Sequence, residues 1–589
     1  MMKKALIFLF FLIVICIPQW SYGDVIPAQN STVHYVHVYF EENFFKGTLE
    51  YELKIYSDSS ALRKDSAVVT LSNNYPAFRV HYLNWGKSYL WRVNNINKKN
   101  KRIHTGDVHT FSIVPRVNSD FFSDIRLDVR VNDTTKHLGG YIVIDYLRGI
   151  FDRSGRPVWL LPPIAGYVNT GTQIRDLEFT AENTLTFLSD NTPVELDLEG
   201  KVLWSLPSPF VFGKDTITFH HDFKKTAQGT YFMLGNRSVY RKMLVNYTEE
   251  LKKLNRDVTY IKGEPYAKTD VAVLLELDQT GKVLWFWDSN NYLTDEDLNY
   301  KKTPIGFPLV YAHANALGVN DENTKAYIGF RDLSRIIKID KQSKKVELSY
   351  GEKYPSGEAM FGDGLFRQQH DARVTKHNSI FILNNNGARK TASPSCIMEL
   401  KDNVSAGDSV LLWKFDLDFD TLTNGRSNSG GNITEMPNSN ILLCAGQLNR
   451  FFEVTRKKEI VWDAFVYSLG KKDSIWQPMP NYRSSWIPEL KMGHILTKVI
   501  SVEKRRKNLL QVELTIYNVN DKEDSYLVEF LDEKGLILYS EKIGPIRKDL
   551  MFPAVFKFSR GAAPLKSLKV KISSLNYPVI VKNIVIPLK

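Results

Sequence analysis

Three short phrases of this chain set a histidine in the same surroundings: His221-Asp222-Phe223, His313-Ala314-Asn315 and His370-Asp371-Ala372. Imidazole is the side chain that serves near pH 7 as neutral nucleophile, proton carrier or metal ligand. The chain has only twelve histidines. Three of them at matched positions of a repeat make a candidate site if the repeat closes on itself. Asn236 and Asn385 stand fifteen residues after His221 and His370, and Arg331 stands eighteen after His313, where the turn carries a three-residue insertion. Arg175 occupies the ring position of a further copy, with Gly431 and Ser485 in two more. Imidazoles and guanidinium neutralise a tetrahedral anion, and Asn236 and Asn385 supply amide donors. Three imidazoles could also hold zinc or copper, although Arg331 beside them disfavours a cation. A single histidine at such a place is usually a packing residue; three in register point to a site.

The elements that must position these residues announce themselves by a second phrase: a strand, an acidic turn, then Gly-Lys-Val-Leu-Trp or a variant. It occurs as 155–159, 200–204 and 281–285, and in degenerate form as 344–348, 409–413 and 458–462. A strand, a tight polar turn and a strand carrying a large aromatic form the outer hairpin of an antiparallel four-stranded blade. Inner strands open ten residues after His221, His370 and Gly431, and Ser485 stands ten before Ile495. The first outer hairpin precedes the first inner strand, and the last inner strand has no hairpin after it. The expectation is a ring in which the last inner strand, near 484–497, completes the blade begun near 141–160. Repeats of this period make propellers, and pairing the two ends removes exposed edges. The sequence therefore predicts an all-β chain: a six-bladed β-propeller over 138–498, an N-terminal β-sandwich of immunoglobulin or fibronectin type over 24–137, and a small C-terminal β-sandwich or cap over 499–589.

Length fits two or three domains, since 589 residues exceed one core. Lys3 and Lys4 precede an apolar run from Ala5 to Ile17, and Ser21-Tyr22-Gly23 offers small residues before a cleavage point. Residues 1–23 thus read as a signal peptide cut near Gly23, leaving an exported protein with no membrane span. Net charge is +12 from 77 basic and 65 acidic residues. The charges are scattered, which fits a solvated surface rather than a nucleic-acid footprint. Cys396 and Cys444 remain in the mature chain, as a disulfide or as two buried thiols. His377 and His494 fall in expected turns and read as solvent-facing. Phosphate-binding loops, dinucleotide fingerprints and hydrolase elbows are missing from the sequence, so no cofactor is expected.

Phe219-His-His-Asp222, Ala312-His-Ala-Asn315 with Gly329-Phe-Arg331, and Gln369-His-Asp371, in this order and spacing, resemble the bacterial periplasmic arylsulfate sulfotransferases. That resemblance implies a periplasmic enzyme moving a sulfuryl group from an aryl sulfate to a phenol through a sulfohistidine, without 3′-phosphoadenosine 5′-phosphosulfate. It implies His370 as nucleophile, with His221, His313, Asn315 and Arg331 around the sulfuryl group; which histidine protonates the leaving phenolate is left open, with His313 the first candidate. It also implies small-molecule partners, an aryl sulfate donor and a phenolic acceptor, with self-association left open. The alternatives are a non-catalytic exported propeller that binds sulfated or glycan ligands, and a metal-dependent lyase or hydrolase on the same histidine ring. The C-terminal 90 residues have no counterpart in the resemblance.

Overall fold

The computed structural model describes residues 25–588 except 46, 98–101, 117–121, 244–247, 254–256, 301–311, 355–360, 376, 378, 388–392, 406, 473, 491–492, 507–508, 521, 560–564 and 577–579. The signal segment read at 1–23 lies outside the described residues. The described chain is all-β, with a few short helices.

Between Tyr141 and Ile487, six sheets hold a run of four antiparallel strands each. Sheet two takes Ile174–Phe179, Leu185–Ser189, Thr192–Leu196 and Val202–Ser205, in chain order from the inside out. Sheets three to six repeat this order from Asp215–Lys225, Ala314–Val319, His370–Val374 and Asn432–Glu435. Sheet one contains Tyr141–Ile144, Gly149–Asp152 and Pro157–Leu160, and its innermost strand is Ser484–Ile487, which pairs antiparallel with Tyr141–Ile144.

The recurring outer phrase is explained by turn chemistry. Asp152, Asp197 and Asp278 each accept backbone N–H groups two and four residues on through Oδ1. Gly155, Gly200 and Gly281, at φ between 82° and 87°, take the left-handed position these turns demand. The tryptophan that follows ties its sheet to the next. Trp159 Nε1 donates to Leu198 O of sheet two, Trp285 to Lys341 O of sheet four, and Trp413 to Arg456 O of sheet six. Trp462 of sheet six donates to Arg153 O of sheet one at 2.8 Å.

Before these sheets, strands from 31–113 form a six-stranded and a two-stranded sheet that share one apolar core with sheets one and two. The boundary expected at 137 needs correction for one strand. Phe122–Asn132 pairs with Ile460–Gly470 on the edge of sheet six, and its alternating Ile125 and Leu127 pack in the core between sheets one and six. The far end differs as well. Ile495 does not belong to the strand that holds Ser485, because Ile495–Arg506 opens a three-stranded sheet that packs on a four-stranded one around a separate core. The ten-residue spacing from Ser485 was a coincidence of two adjacent strands. His494, expected to face solvent, instead stacks on Tyr39 at 3.8 Å, and burial pushes it down to about 3. His377 is exposed.

Candidate active site

Four of the six inner strands carry an irregularity where the sheets approach one another. Register shifts fall at Arg175–Glu178, Phe219–Phe223, Ala314–Ala316 and His370–Arg373. Left-handed φ values at Asp176 (55°), His221 (63°), His313 (51°) and Asp371 (62°) accompany them. A bulge re-aims successive side chains. One residue therefore turns toward the common centre, and the next reaches the neighbouring sheet.

The second set was missed from sequence. Asp176 Oδ2 accepts from Phe223 N at 2.8 Å, Asp222 Oδ2 from Leu317 N, and Asp371 Oδ2 from Ile433 N at 2.8 Å. Asn315 donates to Gln369 O and Asn432 to Ser484 O, while Asp145 accepts from Asp176 N. Each of the six sheets is thus stitched to the next by one Asp or Asn. The signal was present in the sequence: Asp176, Asp222, Asp371 and Asn432 each follow a predicted ring residue. Asn315, predicted to bind substrate, is fully buried in this stitching.

At the centre lies Arg483, 1% exposed, where Ser485 was expected. It stands 2.6 Å from Asp222, 3.2 Å from Asp371 and 3.7 Å from Asp176, and donates to Asn315 O. Arg373 pairs with Glu178 at 3.0 Å beside it. Burial, Glu178 and Asp222 push the Asp176 carboxyl well above its ordinary range, against the pull of Arg483. Arg373 and Arg483, against the effect of burial, hold Asp371 ionised.

Beside this charged base the three predicted histidines come together. The His221 and His313 rings are 5.4 Å apart, and Tyr482 lies 6.0 Å from His221 and 6.5 Å from His370. His221 and His220 face each other through Nδ1 at 2.6 Å, so one of the two nitrogens carries the proton. Burial keeps both imidazoles neutral, with His220 pushed down to about 4. Asn236 lies against His220, one residue removed from the role expected of it. Arg331 Nη1 donates to Asp332 Oδ1 at 2.7 Å, and the same carboxylate stands 3.6 Å from His313 Nδ1. Asp332 therefore holds Arg331 and His313 side by side. Arg331 bears electrostatically on His370, as Arg175 does on His221.

His370 is the most closely held of the three. The Asn385 amide nitrogen donates to Ser427 O at 2.7 Å and faces Gly430 O, which leaves its Oδ1 aimed at His370 Nδ1 at 2.7 Å. That oxygen can only accept, so Nδ1 bears the proton and Nε2 bears the lone pair. Gly430 N–H donates to Nε2 at 3.1 Å. Gly430 and Gly431 have φ of 69° and 96°, and a Cβ on Gly431 would lie 2.4 Å from Leu383. Only glycine lets the backbone present this N–H. Burial pushes His370 down to about 3; the Asn385 bond opposes this, while Arg331, Arg483 and His313 add to it.

The site can present a neutral, oriented imidazole nitrogen next to two further imidazoles and a guanidinium. Among the described residues, no group of three His, Cys, Asp or Glu side chains is arranged to hold a metal ion. Cys396 and Cys444 are buried free thiols, which resolves the pairing left open by sequence. No helix of the described residues is long and apolar enough to cross a membrane.

The pH dependence follows from the His370 environment. Protonation removes the lone pair, so activity of this nitrogen is lost only as pH falls toward 3. If Nε2 is the attacking nitrogen that the resemblance implies, formation of a covalent adduct from an ester with a good leaving group should be flat from pH 8 to 5. Asn385→Asp places a carboxylate against Nδ1–H, favours the imidazolium and moves the acid limb to higher pH; Asn385→Ala should slow the step about 10²-fold. Single-turnover rates against pH check both, and a wild-type limb near the free-imidazole value would contradict the assignment.

Residues 145–412 match the arylsulfotransferase (ASST) family. No curated protein matches the chain. Among solved structures, a luciferin-regenerating enzyme aligns at 9% identity over 60% of this chain and 99% of its own, with a TM-score of 0.27. Kluyveromyces lactis Hsv2 aligns at 8% identity, 68% and 94% coverage and a TM-score of 0.24. Kuenenia stuttgartiensis hydrazine synthase aligns at 11%, with 60% and 80% coverage and a TM-score of 0.24. Likenesses this distant carry no argument about this chain.

Proposed function

We propose, from the membership of residues 145–412 in the arylsulfotransferase family, that this chain transfers a sulfuryl group from an aryl sulfate ester to a phenolic acceptor through a sulfohistidine on His370. The observation that carries the reading is the fixed tautomer of His370, with Nδ1–H on Asn385 and a lone pair on Nε2. Two further imidazoles and Arg331 stand around it.

In the first half-reaction the Nε2 lone pair forms a bond to sulfur. The bond from sulfur to the aryl oxygen breaks, and its electron pair leaves on the phenolate. His313, at the Asp332 carboxylate, supplies the proton when the leaving phenolate is basic. In the second half-reaction an acceptor phenol, losing its proton to a neighbouring imidazole, attacks sulfur. The N–S pair then returns to Nε2. Arg331, His221 and His313 face the anionic oxygens in both steps, where fixed donors act most strongly. The Gly430 bond to Nε2 must open first. A neutral hydrogen bond of this kind is worth only about 1 kcal/mol net, so its loss is a minor part of the barrier.

No step calls for a nucleotide, and the donor ester itself supplies the sulfuryl group without 3′-phosphoadenosine 5′-phosphosulfate. The six stitched sheets support a closed six-bladed propeller whose last sheet also takes Phe122–Asn132 on its edge. The strands within 31–113 support a sandwich before it, and those from Ile495 onward support a second one. Export to the periplasm with cleavage near Gly23 completes the reading. Incubating the protein with p-nitrophenyl sulfate and mapping the product by peptide mass spectrometry should show one sulfuryl adduct, on His370. An adduct on another residue, or release of p-nitrophenol with none formed, would argue against this mechanism.

A further inference from the structure

Tyr482 was absent from every sequence expectation, yet it stands at the middle of the site. Its ring lies between His221 and His370. Its backbone is fixed on both sides: Tyr482 N donates to Asp145 Oδ1 at 3.3 Å, and its carbonyl accepts from Gly431 N at 2.9 Å. A Cβ built on Gly430 would lie 3.4 Å from Tyr482 Cδ2. The ring edge is therefore directly beside the N–H that caps His370 Nε2. The Arg483 guanidinium stands 5.2 Å from the ring centroid, and the Tyr146 ring lies at 6.4 Å.

The hydroxyl is the informative atom. It is buried and meets no hydrogen-bond partner among the described residues. A buried phenol normally finds one, because leaving the bond unmade costs the desolvation of the hydroxyl. Nothing in packing explains leaving a polar atom at this point, and phenylalanine would fill the same space. A group that costs stability beside a nucleophile is what a binding or catalytic donor looks like. Burial, with Asp222 and Asp176 adding to it against Arg483, raises the phenol well above its ordinary range. The hydroxyl therefore keeps its proton and serves as a hydrogen-bond donor rather than as an acid.

We infer that Tyr482 is a catalytic residue whose hydroxyl donates to a non-bridging sulfuryl oxygen, in the donor ester and again in the sulfohistidine. The inference rests on the sulfotransferase reading above and adds a neutral donor to the cationic ones. A donor to a non-bridging oxygen serves both half-reactions equally and is indifferent to the leaving group. A proton donor to the bridging oxygen would matter more as the leaving phenolate becomes more basic.

The test is Tyr482→Phe in the full chain. Adduct formation on His370 is followed in single turnover with p-nitrophenyl sulfate and with unsubstituted phenyl sulfate, and transfer to phenol is followed separately. The expected result is a loss of about 10²-fold or more, of similar size for both esters and in both half-reactions. Thermal unfolding should be unchanged or slightly raised, since no partner loses a bond. An undiminished rate overturns the inference. So does a loss that grows with leaving-group basicity, which would make Tyr482 a proton donor instead, and so does an unfolded variant, which would give the hydroxyl a structural role. If the wild-type protein forms no adduct, the functional reading itself fails, an outcome distinct from all of these.

Discussion

His370→Asn is expected to abolish sulfuryl transfer: release of p-nitrophenol should fall by at least about 10³-fold, and the adduct should disappear from the mass spectrum. The asparagine amide can take over the Nδ1–H bond to Asn385, so that contact survives while the distal nitrogen facing Gly430 is gone. His221→Asn and His313→Asn should be milder, because each removes a donor and leaves the lone pair on Nε2 in place. They should slow turnover by about 10²–10³-fold and still permit the adduct to form. This ordering separates a nucleophile from its surroundings. Three equal losses would instead describe a shared ligand cage, as in the metal-dependent reading, and a chelator would then silence the wild-type protein.

The largest loss of stability should follow Arg483→Met. The guanidinium is 1% exposed and stands against Asp222, Asp371 and Asp176. Removing it leaves buried carboxylates without their central counter-charge, which typically costs about 3–5 kcal/mol. Chemical denaturation followed by intrinsic fluorescence should show the midpoint of the six-sheet body shift strongly. Adding Asp222→Asn to the variant removes one stranded charge and should recover part of the loss. If Arg483→Met unfolds at the wild-type midpoint, the ionic centre is not holding the sheets together.

Much of the site was legible because its residues recur in phrases. His221, His313 and His370 were found from a repeated word, and the outer hairpins from Gly-Lys-Val-Leu-Trp, whose turns need a left-handed glycine. Asn385 and Arg331 followed from their offset along the inner hairpins. What the repeat could not show is what fills its centre. Arg483 and Tyr482 immediately precede the closing strand, in a segment that carries no histidine phrase. Their meaning depends on Asp222 and Asp371, 261 and 112 residues away in sequence. Strand periodicity reports which face a residue takes, but not which distant strand arrives opposite. Ile495 shows the converse, since a matching interval placed it in an inner strand when it begins another sheet. Asn315 was read from its phrase as a ligand, while the bulge at Ala314–Ala316 turns it into the gap between sheets.

The pairing of Tyr141–Ile144 with Ser484–Ile487 has a consequence for how the molecule is made. Tyr482 reaches back across 337 residues to Asp145, a contact order that delays closure until nearly the whole body has been synthesised, and long-range pairings of this kind form slowly. His370, Asn385 and Gly430 are thus synthesised before the segment that brings Tyr482 and Arg483 to them, and on the sulfotransferase reading the site is unfinished until that segment arrives. A chain cut short or stalled before residue 482 would carry an inert His370, so turnover doubles as a readout of whether folding has finished.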